Sequence, residues 1–234
     1  MERKFHILKA IIENFIISAE PVGSKFLLEK IDMDISPATI RNDMATLEKM
    51  GLLYQPYTSA GRMPTTQGFR MYVDDMMNEY LERESAQKVL AIDAVKKQAM
   101  DDSLYYAVSL LSRTCGNVVF ATIPELGKAY YLGLSNILKT PEFYQSIEAY
   151  TVVKILEDKD KLIELLSELP LDEKTRVFIG EENIIEEIQS CSLIVTKFMA
   201  PNVGEGVIGI LGPKRMNYAF NIAALEQVKG ELEG

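Results

Sequence analysis

Three features of the sequence predict an α+β fold that begins all-helical. Residues 2–50 carry apolar side chains at helical spacing, interrupted by Pro21, Gly23 and the aspartates at 32 and 34. Residues 52–65 then shift to two short extended runs around a glycine-bearing loop. Beyond Cys115, short β-branched runs alternate with helical segments. At 234 residues with 47% apolar content, the chain is long enough for two modest domains or one large one.

The first helix, over residues 2–18, gathers Phe5, Leu8, Ile11, Ile12, Phe15 and Ile16 on one broad face. Pro21 and Gly23 end it, and a second short helix starts at Gly23 or Ser24, expected to bury Phe26, Leu27 and Ile31. The third helix is the most fully punctuated stretch of the chain. Ser36 is placed to cap it, Pro37 sits at the first helical position where its missing N–H costs nothing, and Ile35 can staple onto Ile40. At its end Gly51 suits a left-handed residue, with Leu52 folding back on Leu47. Ile40, Met44 and Leu47 give one stripe to bury. Ala38, Asn42, Ala45 and Lys49 point the opposite way, flanked by Thr39, Arg41 and Thr46.

The order helix, helix, tight turn, helix is that of a helix-turn-helix. Residues 52–55 and 62–65 read as short edge strands around Pro56 and the loop Tyr57-Thr58-Ser59-Ala60-Gly61, a hairpin suited to act as a wing, with Arg62 at its tip. From Thr66 a further helix carries Phe69, Tyr72, Val73, Met76 and Met77, and helical pattern continues over 85–114 through Val89, Leu90, Ile92, Val95, Leu104, Val108 and Leu111. This gives three regions: a winged helix-turn-helix over 1–75, a helical linker over 76–114 that either dimerises or packs on its own second domain, and an α+β domain over 115–234. In that domain strands are expected at 118–123, 128–134, 176–179, 193–198 and 207–211, and helices at 142–156, 160–169 and 214–232.

Charge and composition limit the chemistry. The net charge is −9, yet residues 1–73 hold nine Lys/Arg against eight Asp/Glu, so the acidity lies in the remainder. Two cysteines form no disulfide framework or metal cluster, and no apolar run approaches the roughly 18 residues of a membrane span. The expectation is a soluble cytoplasmic protein without metal or cofactor. The segment Gly204-Glu205-Gly206-Val207-Ile208-Gly209 matches G-x-G-x-x-G, but a dinucleotide site needs a helix opening within the motif, and here a buried strand follows. His6 is the sole histidine, which removes triads and most general-base arrangements. Glu181 and Glu182 suit a solvated loop better than a cleft, and Tyr105, Tyr106, Tyr130 and Tyr131 suit a core or an interface better than a pocket.

The outward side of the third helix is where function is legible. Small side chains let a helix approach a surface closely, asparagine pairs bidentately with adenine, Thr and Ala methyls suit the thymine methyl, and Arg or Lys reaches guanine or phosphate. Ser36, Ala38, Thr39, Arg41, Asn42, Ala45, Thr46 and Lys49, with Tyr57, Thr58, Ser59 and Arg62 from the wing, are therefore the candidate contacts to double-stranded DNA. Taken alone, the helix equally fits an ordinary amphipathic helix, and the hairpin a cover for the three-helix core.

The wider sequence resembles the heat-inducible transcription repressor HrcA family. The resemblance lies in Glu20-Pro21-Val22-Gly23-Ser24, in Ser36 through Met44, in Leu47-Glu48, in Gly51-Leu52-Leu53 and Gln55-Pro56, in Thr58-Ser59-Ala60-Gly61-Arg62, in Pro64-Thr65 and in Gly68 through Asp74. It continues in Gly133-Leu134-Ser135-Asn136, Pro141-Glu142-Phe143, Ile179 through Asn183, and Gly209 through Met216. It implies a winged-helix repressor that binds an inverted-repeat operator ahead of chaperone genes as a homodimer, assisted by a chaperonin, and releases it on heat stress. It also implies a GAF-like second domain. Between Ile123 and Gly133 this chain is shorter than the family's pattern, so the family's inserted dimerising segment is expected to be missing. Two other readings remain open: a ligand-sensing winged-helix regulator and a winged-helix protein-docking module.

Overall fold

Helix α1 (Glu2–Ser18) owes its place to a run of side chains that water cannot solvate well: Ile7, Leu8, Ile11 and Ile12 are fully buried, with Phe15 beside them. Phe5 and Ile16, expected on that face, lie half-buried at its margins. The computed structural model describes residues 2–33, 35–82, 100–143, 147–201 and 204–234. Two compact units divide the chain at residues 83 and 84.

In the first unit α1 is followed by α2 (Ser24–Leu28), α3 (Pro37–Lys49), a two-stranded ribbon and α4 (Thr66–Glu82). α2 buries Leu27 alone. Phe26, expected inside, is 46% exposed, and Lys30 Nζ stands 5.5 Å from its ring centroid. A five-residue helix has too few turns to hide three large side chains.

The ribbon pairs β1 (Leu53–Tyr54) with β2 (Met63–Pro64), antiparallel, Leu53 opposite Pro64 and Tyr54 opposite Met63. Strands of two residues cannot hold themselves. Val22 and Arg62 exchange backbone hydrogen bonds of 2.9 Å in both directions, and the Thr65 N–H donates to the Leu52 carbonyl at 3.1 Å. The approach is close enough to demand glycine: a Cβ on Gly61 would lie 2.4 Å from the Val22 carbonyl, and one on Gly68 would lie 2.2 Å from the Leu52 oxygen. The Thr65 hydroxyl donates to the Gly51 carbonyl at 2.6 Å and accepts from the Gly68 N–H at 3.1 Å, tying the end of α3 to the start of α4.

The second unit is a five-stranded antiparallel sheet in the order β4-β3-β7-β6-β5. The strands are β3 (Val118–Ile123), β4 (Lys128–Leu132), β5 (Arg176–Ile179), β6 (Cys191–Ala200) and β7 (Gly204–Pro213). One face carries Val118, Phe120, Leu193, Val195 and Leu211 into a core shared with Ile137, Val152, Leu162 and Leu166 of α6 (Leu134–Leu138), α7 (Ile147–Glu157) and α8 (Lys159–Glu168). The other is covered by α5 (Met100–Cys115) and α9 (Tyr218–Glu233), where the Ser192 and Tyr218 hydroxyls lie 2.8 Å apart.

β3 and β5 have the bounds expected from the sequence, whereas β6 and β7 are longer than the expected 193–198 and 207–211. β4 stops short of the expected residue 134, because Gly133, at φ +89°, turns the chain into α6. The last helix does not begin at the expected residue 214. The chain turns over 213–216 instead, and the Asn217 side chain caps α9 by accepting from the Phe220 N–H. Leu104, Val108 and Leu111 are fully buried in α5, while Val89, Leu90, Ile92 and Val95 lie outside the described residues.

Gly204, Gly206 and Gly209 all fall within β7, with no helix opening among them. Their use is steric. A Cβ on Gly209 would sit 2.4 Å from the Phe120 ring and one on Gly206 2.4 Å from the Phe198 ring, so the bare backbone is what lets each aromatic lie across its neighbouring strand. Gly209→Ala is therefore expected to destabilise the fold by about 1–3 kcal/mol through overpacking, read from urea denaturation, and Phe120→Leu added to it should return part of the loss.

Candidate nucleic-acid interface

The site is built on α3. Ser36 caps it, accepting from the Thr39 N–H at 3.1 Å with Pro37 at the first helical position. It ends on Gly51 at φ +75°, where the Gly51 N–H meets the Glu48 carbonyl at 2.9 Å and the Leu52 N–H meets that of Leu47 at 3.0 Å. Both ends are thus fixed by local sequence. Ile40, Met44 and Leu47 are buried beneath; Ala38, Arg41, Asn42 and Lys49 are exposed, and Thr39, Ala45 and Thr46 are half-buried at the margins.

Some of the hydroxyls are already engaged. Ser36 Oγ lies 3.0 Å from Thr39 Oγ1, and Thr46 Oγ1 donates to the Asn42 carbonyl at 3.0 Å. Asn42 keeps its side-chain amide outward, while Arg41 and Lys49 have no ion-pair partner among the described residues.

Two contacts clamp this helix, and both involve carboxylates to which the sequence alone assigns no role. Asp43, only 4% exposed, receives Arg3 of α1 in a two-pronged bond, Nε to Oδ2 at 2.8 Å and a terminal nitrogen to Oδ1 at 3.1 Å. The carboxylate holds the Arg3 guanidinium pKa above its ordinary value. Glu48 receives Arg62, whose Nε and terminal nitrogen reach one carboxylate oxygen at 3.0 and 2.9 Å. A signal for the first was present: Asp43 falls three residues after Ile40 and four before Leu47, on the buried stripe, where a carboxylate must find a cation.

Arg62 is accordingly not at the hairpin tip. It lies where the loop joins β2, bridged to Val22, with its side chain 19% exposed. The tip is formed by Tyr57, Thr58 and Ser59, all exposed, Tyr57 by 67%. A turn closed by the Ala60 N–H on the Tyr57 carbonyl at 3.0 Å shapes it, with Ser59 left-handed at φ +71° and Gln55 Nε2 donating to the Ala60 carbonyl.

The other candidate groups are otherwise occupied. His6 Nδ1 lies 3.0 Å from the Glu2 carbonyl on an exposed turn of α1. Glu181 pairs with Lys214, and Glu182 accepts the Ile179 N–H. Tyr105 and Tyr130 meet edge to face at 6.4 Å, and Tyr105 and Tyr106 are exposed on α5. Burial pushes the Cys115 thiol up to about 12, which keeps it protonated and a poor nucleophile at neutral pH. Among the described residues no group of His, Cys, Asp and Glu could hold a metal ion, and no helix is long and apolar enough to cross a membrane.

A family model described as the C-terminal domain of the HrcA protein matches residues 71–222. The chain belongs to the HrcA family. Curated relatives extend the likeness through the first unit. The heat-inducible transcription repressor HrcA of Carboxydothermus hydrogenoformans is 29% identical over 325 residues, covering 96% of this chain and 95% of the relative. That of Acetivibrio thermocellus is 28% identical over 333 residues, covering 99% and 95%. These aligned spans exceed the 234 residues present, so the HrcA relatives carry a substantial length with no counterpart here. A solved structure described as a hypothetical protein at 2.2 Å resolution shares the fold, with a TM-score of 0.82 at 20% identity, covering 100% of this chain and 97% of that one. The HrcA family is one of transcription repressors, not enzymes.

The two ends of the Arg3–Asp43 pair differ in exposure, and their removal should differ in cost. Arg3→Ala leaves a buried carboxylate unpaired, whereas Asp43→Asn leaves an amide able to accept from an arginine whose side chain is 52% exposed. In thermal melts Arg3→Ala is expected to lower the transition of the first unit more than Asp43→Asn. The reverse order would mean that the pair does not hold α3.

Proposed function

We propose that this chain is a DNA-binding transcriptional repressor of heat-shock chaperone operons, a winged helix that reads an inverted-repeat operator as a dimer and releases it on heat stress. In this reading residues 1–75 are the winged-helix domain, with α2 and α3 as the helix-turn-helix and the ribbon as the wing. Residues 76–114 are the helical linker, and of its two expected uses the burial of Leu104, Val108 and Leu111 favours packing on its own second domain for the α5 part; residues 115–234 form a GAF-like domain with a reduced insert. The likeness to heat-inducible transcription repressors supports the function, and one observation supports the site: the exposed face of a helix capped at both ends is small, hydrogen-bonding or cationic throughout.

In the major groove Arg41, Asn42 and Thr39 meet base edges, with Ser36, Ala38, Ala45 and Thr46 supplying close apolar and hydroxyl contacts, and Lys49 meets the backbone. Tyr57, Thr58 and Ser59 bring the wing to the flanking backbone or minor groove. Arg62, already engaged by Glu48, sets the angle of the wing on α3. Two copies related by a two-fold axis match an inverted repeat, and a chaperonin assists the active state, as in the family reading.

Release by heat follows from marginal stability. A repressor that needs two copies on one operator loses binding cooperatively once the domain holding them together begins to unfold. Operator affinity measured across the melting range should therefore fall with the folded fraction, and affinity that stays flat through the transition would exclude this mechanism. For the site, Arg41→Ala is expected to cost about 1–3 kcal/mol on the operator and to relax preference at one base position. The measurement is footprinting and titration on the chain's own upstream region, and an unchanged footprint would remove Arg41 from the readout.

A further inference from the structure

Beside the exposed face of α3 lies a cleft of about 430 Å³ walled by the start of α2, one side of α3 and the ribbon loop. Its polar lining comprises Lys25, Arg41, Arg62, Ser24, Gln55 and Ser59, and the rest is Val22, Gly23, Met44, Ala60 and Gly61. In a chain of net charge −9, three cations and no carboxylate line this recess. Arg62 is spoken for by Glu48, whereas Lys25 is exposed and, like Arg41, has no ion pair among the described residues.

We propose that this cleft seats one phosphodiester of the operator backbone, with Lys25 supplying the charge that sets affinity and Ser24, Gln55 and Ser59 supplying hydrogen-bonding groups around it. The inference rests on the repressor reading and assigns a contact that the outward face of α3 does not contain. Its place argues for backbone over bases. A helix that enters the major groove has base edges in front of it and sugar-phosphate on either flank, and the cleft is on the flank. Its chemistry agrees: a phosphodiester carries one negative charge and acceptor oxygens only, which suits a lining of an ammonium, a guanidinium, hydroxyls and an amide. The loop is built to keep the rim in place, since Gly61 lies against the Val22 backbone and the turn before it is closed by the Ala60 N–H.

A phosphate contact gives affinity without sequence preference, so the test separates it from base readout. The full chain and its Lys25→Gln variant are titrated on a duplex from the chain's own upstream region and on a scrambled duplex, between about 50 and about 200 mM salt. Lys25→Gln should melt as the parent does, weaken binding to both duplexes by the same factor, and reduce the slope of log affinity against log salt by about 0.9. A methylphosphonate at one phosphate per half-site should weaken the parent and leave Lys25→Gln unaffected. An unchanged slope, or a loss confined to the upstream duplex, overturns the assignment. A Lys25-dependent melting shift with inorganic phosphate, together with an unchanged slope on DNA, overturns it in favour of a free anion. Failure of the parent chain to bind either duplex refutes the repressor reading itself and is recognised before the variant is compared.

Discussion

The first unit depends on how α3 is held, because a helix whose outer face stays bare can be gripped only from behind and from its ends. Three apolar side chains, Ile40, Met44 and Leu47, give the adhesion. Adhesion alone leaves a short helix free to roll or slide on a greasy floor. The directional bonds from Arg3 to Asp43 and from Arg62 to Glu48 remove that freedom, one from the first helix and one from the ribbon. Arginine suits both positions, since its planar fork can meet a carboxylate at more than one point where an ammonium meets it at one.

The same logic explains the division of charge along the chain. The first unit is close to neutral overall, with part of its charge spent internally on these pairs, so the cations left over count for more. Arg41, Lys49 and Lys25 remain exposed on or beside the outer face of α3. The second unit carries the acidity and a sheet whose helices bury both faces, with exposed aromatics on α5. A surface of that sign attracts a polyanion less than the first unit does.

What could be read from the sequence was whatever depends on neighbours in the chain. The cap at Ser36, the stop at Gly51 and the strands at 118–123 and 176–179 are local, and periodicity with punctuation locates them. The long-range features were harder. A hairpin drawn from sequence puts its turn at the glycine and so Arg62 at the tip, whereas the Val22 bridge pins Arg62 at the root of the loop and leaves the turn to residues 57–60. Phe26 looked buried because hydrophobicity was counted without the brevity of α2. Asp43 was visible as a charge on an apolar stripe, but its partner lies forty residues away in the sequence and no periodicity points to it. The cleft beside α3 is assembled from three separate segments and has no signature in any one of them.

The ribbon joins an immovable root to a replaceable crown. Gly61 and Gly68 each press bare backbone against a carbonyl of another segment, so neither accepts a side chain and the root cannot drift. Tyr57, Thr58 and Ser59 touch solvent, so their identities can change with little consequence for folding. Under the proposed repressor reading, evolution or a protein engineer can therefore vary those three positions while α3 and its supports stay as they are.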